Sequence, residues 1–200
     1  MIERAAVLLA KKGLQGTSFS EVLEASGAPR GSLYYHFPGG KDELVLAALT
    51  ATSVRALSPL EEVRGEPAAE VARKFVGLWR SVLAGSDFGA GCAVAAVAVA
   101  ADSDALLEGA ASVFRAWRSR LGELFAEGGI SADRAPAIAT TLIAAIEGAV
   151  IMARAERSFE PFDLMASEQI AAIAAATTSA GVPNLVNRKG ARHAAQRTRR

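Results

Sequence analysis

Three neighbouring side chains, Tyr34, Tyr35 and His36, carry the polar aromatic groups best suited to chemistry in this sequence. The two tyrosines are the only ones in the chain, and His36 is one of two histidines. Their hydroxyl and imidazole groups can hydrogen-bond phosphates, and the tyrosine rings can lie against thymine methyl groups. Ser32 is short enough to approach a base edge closely. Together these residues predict contact with nucleic acid.

Two short helices must position this run. The first is predicted to begin after a cap at Thr17 or Ser18 and to end at Gly27. The second is predicted from Arg30 to His36, after a proline that is tolerated where a helix begins. Two short helices joined by a tight turn are the outline of a helix-turn-helix, whose second helix projects into the major groove.

Two further residues extend the predicted contact. Gly31 has no side chain and lets the second helix come near the sugar-phosphate wall. Lys41 opens the next helix, predicted over about 41–57, where free backbone N–H groups and the positive end of the helix dipole favour a phosphate.

The run from Ala28 to Phe37, followed by Lys41-Asp42-Glu43-Leu44, resembles the DNA-binding domain of TetR-type transcriptional regulators over about residues 2–50. The resemblance implies a homodimer on double-stranded operator DNA. It implies DNA contact from Ser32, Tyr34, Tyr35, His36 and Lys41, with phosphate contacts from Arg30 and Thr17.

Two shorter segments resemble one branch of this family. They are the Phe-Pro-Gly-Gly-Lys loop that ends at Lys41 and the run from Gly91 to Val97. That branch includes repressors that respond to lincomycin-type antibiotics and to plant flavonoids. The resemblance therefore implies a small apolar or aromatic inducer.

The remaining chain is helical in pattern, with no alternating β-branched run that would predict a sheet. The predicted fold is all-α, with a three-helix helix-turn-helix domain over 1–45, a ligand-binding and dimerisation domain over 46–180, and a basic tail over 181–200. The body helices are predicted at about 68–84, 91–101, 104–127, 132–157 and 161–178. Residues 58–67 are predicted to be a linker in which Glu61 and Glu62 are simply solvated.

Apolar, mostly aromatic residues of the predicted body are either core residues or the lining of a ligand pocket. We predict that several of them contact the inducer. The candidate ligand-binding residues are Phe75, Trp79, Phe88, Cys92, Phe114, Trp117, Leu121 and Glu147.

Two members of that set have alternative interpretations. Cys92 fits the role of a small core residue better than that of a reactive thiol. Glu147 interrupts an apolar helix face, where it either pairs with an arginine, such as Arg154 or one from a partner chain, or selects a ligand; the ion pair is favoured.

The last two body helices carry apolar stripes, at Ile138, Leu142, Ile146 and Val150 and then at Leu164, Ile170 and Ile173. Such stripes usually belong to the core of one chain. The family resemblance, however, implies a four-helix bundle made by these two helices of each protomer. A two-fold dimer would place its recognition helices about one DNA turn, roughly 34 Å, or somewhat more apart.

The net charge of +1 hides an asymmetry. Six basic residues and no acidic one follow Leu185, and subtracting their charges leaves a net charge of −5 for residues 1–187.

The longest apolar stretch, Phe88 to Ala101, is too short for a membrane span of roughly 20 residues. The single cysteine suits a reducing cytoplasm.

No catalytic set, metal-ligand spacing or cofactor motif is found, so the sequence does not predict an enzyme. The favoured function is a ligand-responsive transcriptional regulator, a repressor by expectation, that binds a palindromic operator as a dimer. The alternative is a small-molecule-binding helical protein or enzyme that keeps the N-terminal fold without binding an operator.

Overall fold

A computed structural model describes residues 1–179 of the chain. Within these residues the chain forms nine α-helices and one 3-10 helix. In chain order they are α1 (Ile2–Lys12), α2 (Phe19–Ser26), α3 (Arg30–His36), α4 (Lys41–Leu57), the 3-10 helix (Ser58–Val63), α5 (Ala68–Gly85), α6 (Ala93–Ala100), α7 (Asp104–Glu127), α8 (Ala135–Glu156) and α9 (Glu160–Ser179). The predicted all-α fold class is confirmed, and the predicted basic tail over 181–200 lies outside the described residues.

Local sequence signals explain the two helices of the predicted helix-turn-helix. Ser18, not Thr17, caps α2: its hydroxyl accepts the amide proton of Glu21, and the Glu21 carboxylate accepts the amide proton of Ser18. Gly27 ends α2 in the left-handed region, with φ 67°, which a residue without a side chain adopts at no steric cost. Helix α3 then begins at Arg30 as predicted.

Helix α1 packs against α4 and α6, and α4 packs in turn against α7. Ala5 and Leu9 of α1 and Leu44 and Ala48 of α4 are buried at this junction. Since α4 runs without interruption across residues 45 and 46, the predicted boundary between the two domains falls inside a helix. The predicted helix-turn-helix and the body therefore share one continuous core.

The body is built from α5 to α9, with α7, α8 and α9 packed in sequence and α5 against all three. Its largest fully buried side chains are Trp117, Phe75, Phe125 and Phe162. These residues form the apolar centre that holds α5, α7 and α9 together.

The predicted linker over 58–67 is wrong in its first half. The chain forms a 3-10 helix there, and Leu60 is fully buried. Glu61 is not simply solvated, because Arg120 donates hydrogen bonds to it at 2.6 and 2.7 Å. Glu62 pairs with Lys74 at 2.7 Å. A solvated charge pattern and a surface ion-pair pattern look alike in sequence, and only tertiary contacts separate them.

Two described segments, Lys41–Val63 and Ala135–Glu156, are long and apolar enough to cross a membrane by length and composition alone. The first contains α4, which packs on α1 and α7, and the second is α8, which packs on α7 and α9. Their apolar residues serve the core of this fold, and they do not suggest a membrane protein.

Candidate nucleic-acid interface and ligand site

Helix α3 presents the predicted DNA-binding side chains to solvent. Tyr34 is 64% exposed and Tyr35 is 82% exposed, far more than is usual for tyrosine. Arg30 and His36 are also exposed, and Ser32 is half-buried. Helix α3 therefore carries exposed polar and aromatic side chains that can contact a nucleic acid.

Aromatic contacts orient both tyrosines. Tyr34 packs edge-on against Phe19 of α2, with 6.0 Å between ring centroids. Tyr35 packs edge-on against His36, with 5.2 Å between centroids. Edge-to-face pairs hold rings in a preferred geometry. The two rings are therefore partly ordered before any partner binds, which lowers the entropy cost of recognition.

Gly31 has no structural reason to be a glycine within the described chain. A Cβ atom added there would meet nothing within 4 Å, and Gly31 is exposed. Glycine inside a helix is unfavourable compared with alanine. Close approach of Gly31 to the sugar-phosphate wall stays a prediction.

Two other predicted contacts are already engaged inside the protein. Thr17 is 2% exposed and donates its hydroxyl proton to the Gly13 carbonyl at 2.8 Å. Lys41 donates a hydrogen bond to the Leu14 carbonyl at 2.9 Å. Contact of either residue with phosphate stays a prediction, and the geometry gives both a positioning role in the turn between α1 and α2.

An ion pair further fixes that turn. Lys12 and Glu21 lie 2.8 Å apart across the α1–α2 connection. The Lys12 ammonium, together with hydrogen bonds from Ser18, lowers the pKa of Glu21 from its ordinary value. Exposed pairs of this kind contribute little energy, so this pair is a minor contact between the two helices.

Four of the eight predicted ligand residues form one aromatic cluster. Trp117 is its centre: Phe75, Trp79 and Phe114 all pack edge-on against its indole, with centroid distances of 6.4, 5.9 and 5.8 Å. Phe88 does not join them. It packs against Phe159, which precedes α9, at 4.7 Å, because the loop before α6 turns towards α9.

A cavity of about 450 Å³ opens beside this cluster, bounded by α1, α4, α5 and the start of α6. Of the eight predicted ligand residues, only Trp79 and Trp117 line it. Phe75 and Leu121 are buried in the core at 1% and 0% exposure. A ligand role for all eight residues stays a prediction.

Glu147 and Arg154 do not pair with each other, so Arg154 is wrong as the partner in the favoured ion pair. Arg154 donates to the carbonyl oxygens of Phe88 and Gly89 at 3.3 and 3.4 Å. Glu147 lies two helical turns earlier and interacts with the Cys92 thiol instead. Pairing of Glu147 with an arginine of a partner chain is untested by this structure.

Burial raises the pKa of both Glu147 and Cys92. Loss of water raises the pKa of Glu147 to about 7, although the neighbouring Cys92 thiol lowers it. Burial, reinforced by the nearby Glu147 charge, raises the pKa of the Cys92 thiol well above its usual range. The Cys92 sulfur also accepts the Ala95 amide proton at 3.3 Å and caps α6. Cys92 is therefore a buried capping residue and a poor nucleophile.

Similar proteins agree with this architecture. Residues 1–48 match the profile described as bacterial regulatory proteins, tetR family, and residues 68–168 match the C-terminal domain of LmrA/YxaF-like transcriptional regulators. An uncharacterized HTH-type transcriptional regulator of Mycobacterium tuberculosis is 34% identical over 172 residues, which cover 82% of this chain and 88% of the relative.

The chain belongs to the TetR family of transcriptional regulators. The HTH-type transcriptional regulator LmrA of Bacillus subtilis is 27% identical over 165 residues, covering 80% of this chain and 88% of that one. Among solved structures, regulatory protein TetR from Rhodobacter sphaeroides superposes with a TM-score of 0.74 at 25% identity, covering 85% of this chain and 95% of that one. The resemblance stated from the sequence is thus confirmed, and the regulator is a DNA-binding protein and not an enzyme.

Sequence reasoning missed the N-terminal wall of the cavity. Helix α1 contributes Ala6, Ala10 and Lys11 to it, and α4 contributes Thr52 and Arg55. The spacing of Ala6 and Ala10 places two small side chains on one face of α1, which is a signal for close approach of another surface. That spacing could not say whether the surface belongs to a helix or to a ligand.

Proposed function

We propose that the regulator is a ligand-responsive repressor, which binds a palindromic operator as a homodimer and is released by a small apolar or aromatic inducer. The observation that carries this proposal is the exposed pair Tyr34 and Tyr35 on α3, beside Gly31, whose missing side chain the folded chain does not explain. We further propose that it acts in the cytoplasm, as is typical of its family.

A face of α8 and α9 supports the homodimer. Ile151 is 65% exposed, Met152 is 47% exposed, and Leu164 of α9 is 62% exposed. Gly148 lies one turn before Ile151 and Met152, and a Cβ added to it would meet nothing within 4 Å. Large apolar residues beside a small one allow close packing of a second copy.

The dimer surface differs from the stripe predicted for α8. Leu142, Ile146 and Val150 are all buried within the chain, at 2% exposure or less. They therefore belong to the core of one protomer. The exposed residues Ile151 and Met152, on the opposite face of α8, would contact the partner. The proposed bundle uses the predicted helices with a different face of α8.

Release by an inducer requires that the ligand bind the DNA-incompatible conformation more tightly than the DNA-bound one. A hundredfold loss of operator affinity corresponds to a preference of about 3 kcal/mol. By linkage, operator DNA must weaken inducer binding by the same factor. Titrations with and without operator that gave equal inducer affinity would contradict this mechanism.

Selection of binding sequences from random DNA by the purified regulator tests the DNA part directly. We expect a two-fold symmetric consensus whose half-sites lie about one helical turn or somewhat more apart. Light scattering of the complex should give two protomers per site or a multiple of two. An asymmetric consensus bound by a single protomer, or no enrichment at all, would contradict the proposal.

A further inference from the structure

The cavity of about 450 Å³ lies between the DNA-binding helices and the body, not inside the body. Val7 of α1 and Ala56 of α4 form one side, while Leu78 and Val82 of α5 form the other. These walls are apolar, so the cavity suits an apolar molecular body of modest size. Any such molecule would touch both halves of the regulator at once.

Trp117 forms part of one wall of the cavity. Trp117 is fully buried, and among the described residues its Nε1 has no hydrogen-bond partner. Its indole is held by edge-on contacts with Phe75, Trp79 and Phe114, so it has little freedom to turn towards another acceptor. Buried donors in folded proteins are nearly always satisfied. Because Nε1 is itself fully buried, the indole ring of Trp117, and not its N–H group, would meet the apolar body of a ligand.

The charges around the cavity favour an anion. Its lining includes Lys11 and Arg55 and no acidic residue. Arg55 is paired with Glu3, but within residues 1–179 no ion pair is found for Lys11, which is exposed. A ligand that combined an apolar body with a carboxylate would meet complementary groups at both the wall and the mouth.

A backbone link connects this cavity to α1. The Gly91 amide donates a hydrogen bond to the Ala10 carbonyl at 2.8 Å, and both residues line the cavity. The same loop holds Asp87 and Phe88 in the left-handed region, at φ 49° and 61°, which is strained for residues with side chains. Occupation of the cavity would therefore act on a loop that already joins α1 to the body.

We propose that this cavity is a binding site for an apolar carboxylate, whose apolar body packs against Trp117, whose carboxylate pairs with Lys11, and which fastens α1 to the loop before α6. Binding and fastening can be tested without DNA. Only the resulting change in operator affinity rests on the proposed function.

Calorimetry on the full chain tests binding, with decanoate and naphthalene-1-acetate as carboxylate probes and decylammonium as the cationic counterpart of decanoate. We expect one site per protomer for the carboxylates and at least about tenfold weaker binding of decylammonium. Decanoate should also change the tryptophan emission, since both tryptophans of the chain line the cavity. Failure of both carboxylates to bind, or equal binding of the cation, would overturn the proposal.

Three variants locate the site. Lys11→Gln, at an exposed position, should weaken decanoate binding several-fold, and Trp117→Phe should weaken it several-fold by removing part of the apolar wall. Val82→Phe should block binding by filling the cavity from its partly exposed wall, which keeps the test valid even if Trp117→Phe does not fold. Lys74→Gln is the matched control, since it removes the same charge outside the lining, and it should bind decanoate as the wild type does. Wild-type affinity in both Lys11→Gln and Val82→Phe would overturn the assignment of the site.

Hydrogen exchange tests the fastening. Decanoate should slow exchange of the Gly91 amide and of amides in α1, while exchange in α9 stays unchanged. Bound decanoate with unaltered exchange at Gly91 would overturn the link between the cavity and α1. Neither measurement involves operator DNA, so these failures are distinct from a failure of the regulator to bind a palindrome.

Discussion

The Lys41 ammonium donates a hydrogen bond to the Leu14 carbonyl oxygen, with 2.9 Å between Nζ and O. This bond joins the start of α4 to the turn that follows α1, and Leu14 is itself buried. An ammonium has three N–H donors, and Leu14 uses one of them. The lysine can therefore position the turn and still offer donors to a phosphate.

Replacement of Lys41 should reveal both roles. Lys41→Ala leaves the Leu14 carbonyl without this donor, and we expect the free energy of unfolding to fall by about 1 kcal/mol. Loss of one phosphate contact should also reduce the salt dependence of DNA binding by about one unit of slope, for every DNA sequence alike. Chemical denaturation and titrations at several salt concentrations measure the two effects. An unchanged slope with lowered stability would leave Lys41 only its positioning role.

Tyr35 should separate DNA recognition from folding. Because its side chain is 82% exposed, Tyr35→Ala should change the free energy of unfolding by no more than about 0.5 kcal/mol. Contact with a base edge predicts a loss of about 1–3 kcal/mol in operator binding. Tyr35→Phe is the matched control: it keeps the ring and reports on the hydroxyl alone. Normal operator affinity in a folded Tyr35→Ala dimer would remove this residue from the interface.

Replacement of Gly31 by alanine should raise the stability of the protein and lower its affinity for operator DNA. Gly31→Ala adds a methyl group into open space and replaces the poorer helix former, so we expect a gain in stability of up to about 1 kcal/mol. The same methyl group should weaken operator binding if α3 approaches the DNA backbone closely. Thermal unfolding and mobility shift, run on the same preparation, check both signs. Greater stability with unchanged DNA affinity would contradict close approach at this position.

The helix-turn-helix was predictable from sequence because its signals are local. Gly27 and the capping box at Ser18 mark the limits of α2, and the predicted range of α3 agrees with the structure. The cavity was not predictable in the same way, since its walls come from α1, α4 and α5 and meet only through tertiary packing. The contact between Phe88 and Phe159 was not predictable for the same reason: Phe88 lies in a left-handed loop, which turns its ring towards Phe159.

Dimerisation through α8 should depend on Ile151. Ile151→Glu places a charge on the exposed apolar face without touching the core, since Ile151 is 65% exposed. We expect monomers in sedimentation equilibrium, retained helix content and loss of palindrome binding, because a single recognition helix contacts only one half-site. Val54→Glu is a suitable control, as it makes the same kind of change at a 60% exposed position on α4. A dimer that survived Ile151→Glu would exclude this face as the interface.

Glu147 should make the stability of the regulator depend on pH in a definite direction. Burial raises the pKa of Glu147 to about 7 from an ordinary 4.5, so between these values the folded chain holds a proton that the unfolded chain has lost. Stability should therefore fall as pH rises from about 4.5 to about 7 and level off above that, by up to roughly 3 kcal/mol from this residue. The Cys92 thiol, the neighbouring titratable group, stays protonated over the whole range because burial raises its pKa too. Glu147→Gln mimics the protonated form, so the variant should lose this component and exceed the wild type in stability above pH 7. Denaturation curves of both proteins from pH 5 to pH 8 measure the difference, and parallel curves would show that the Glu147 carboxyl titrates at its ordinary pKa.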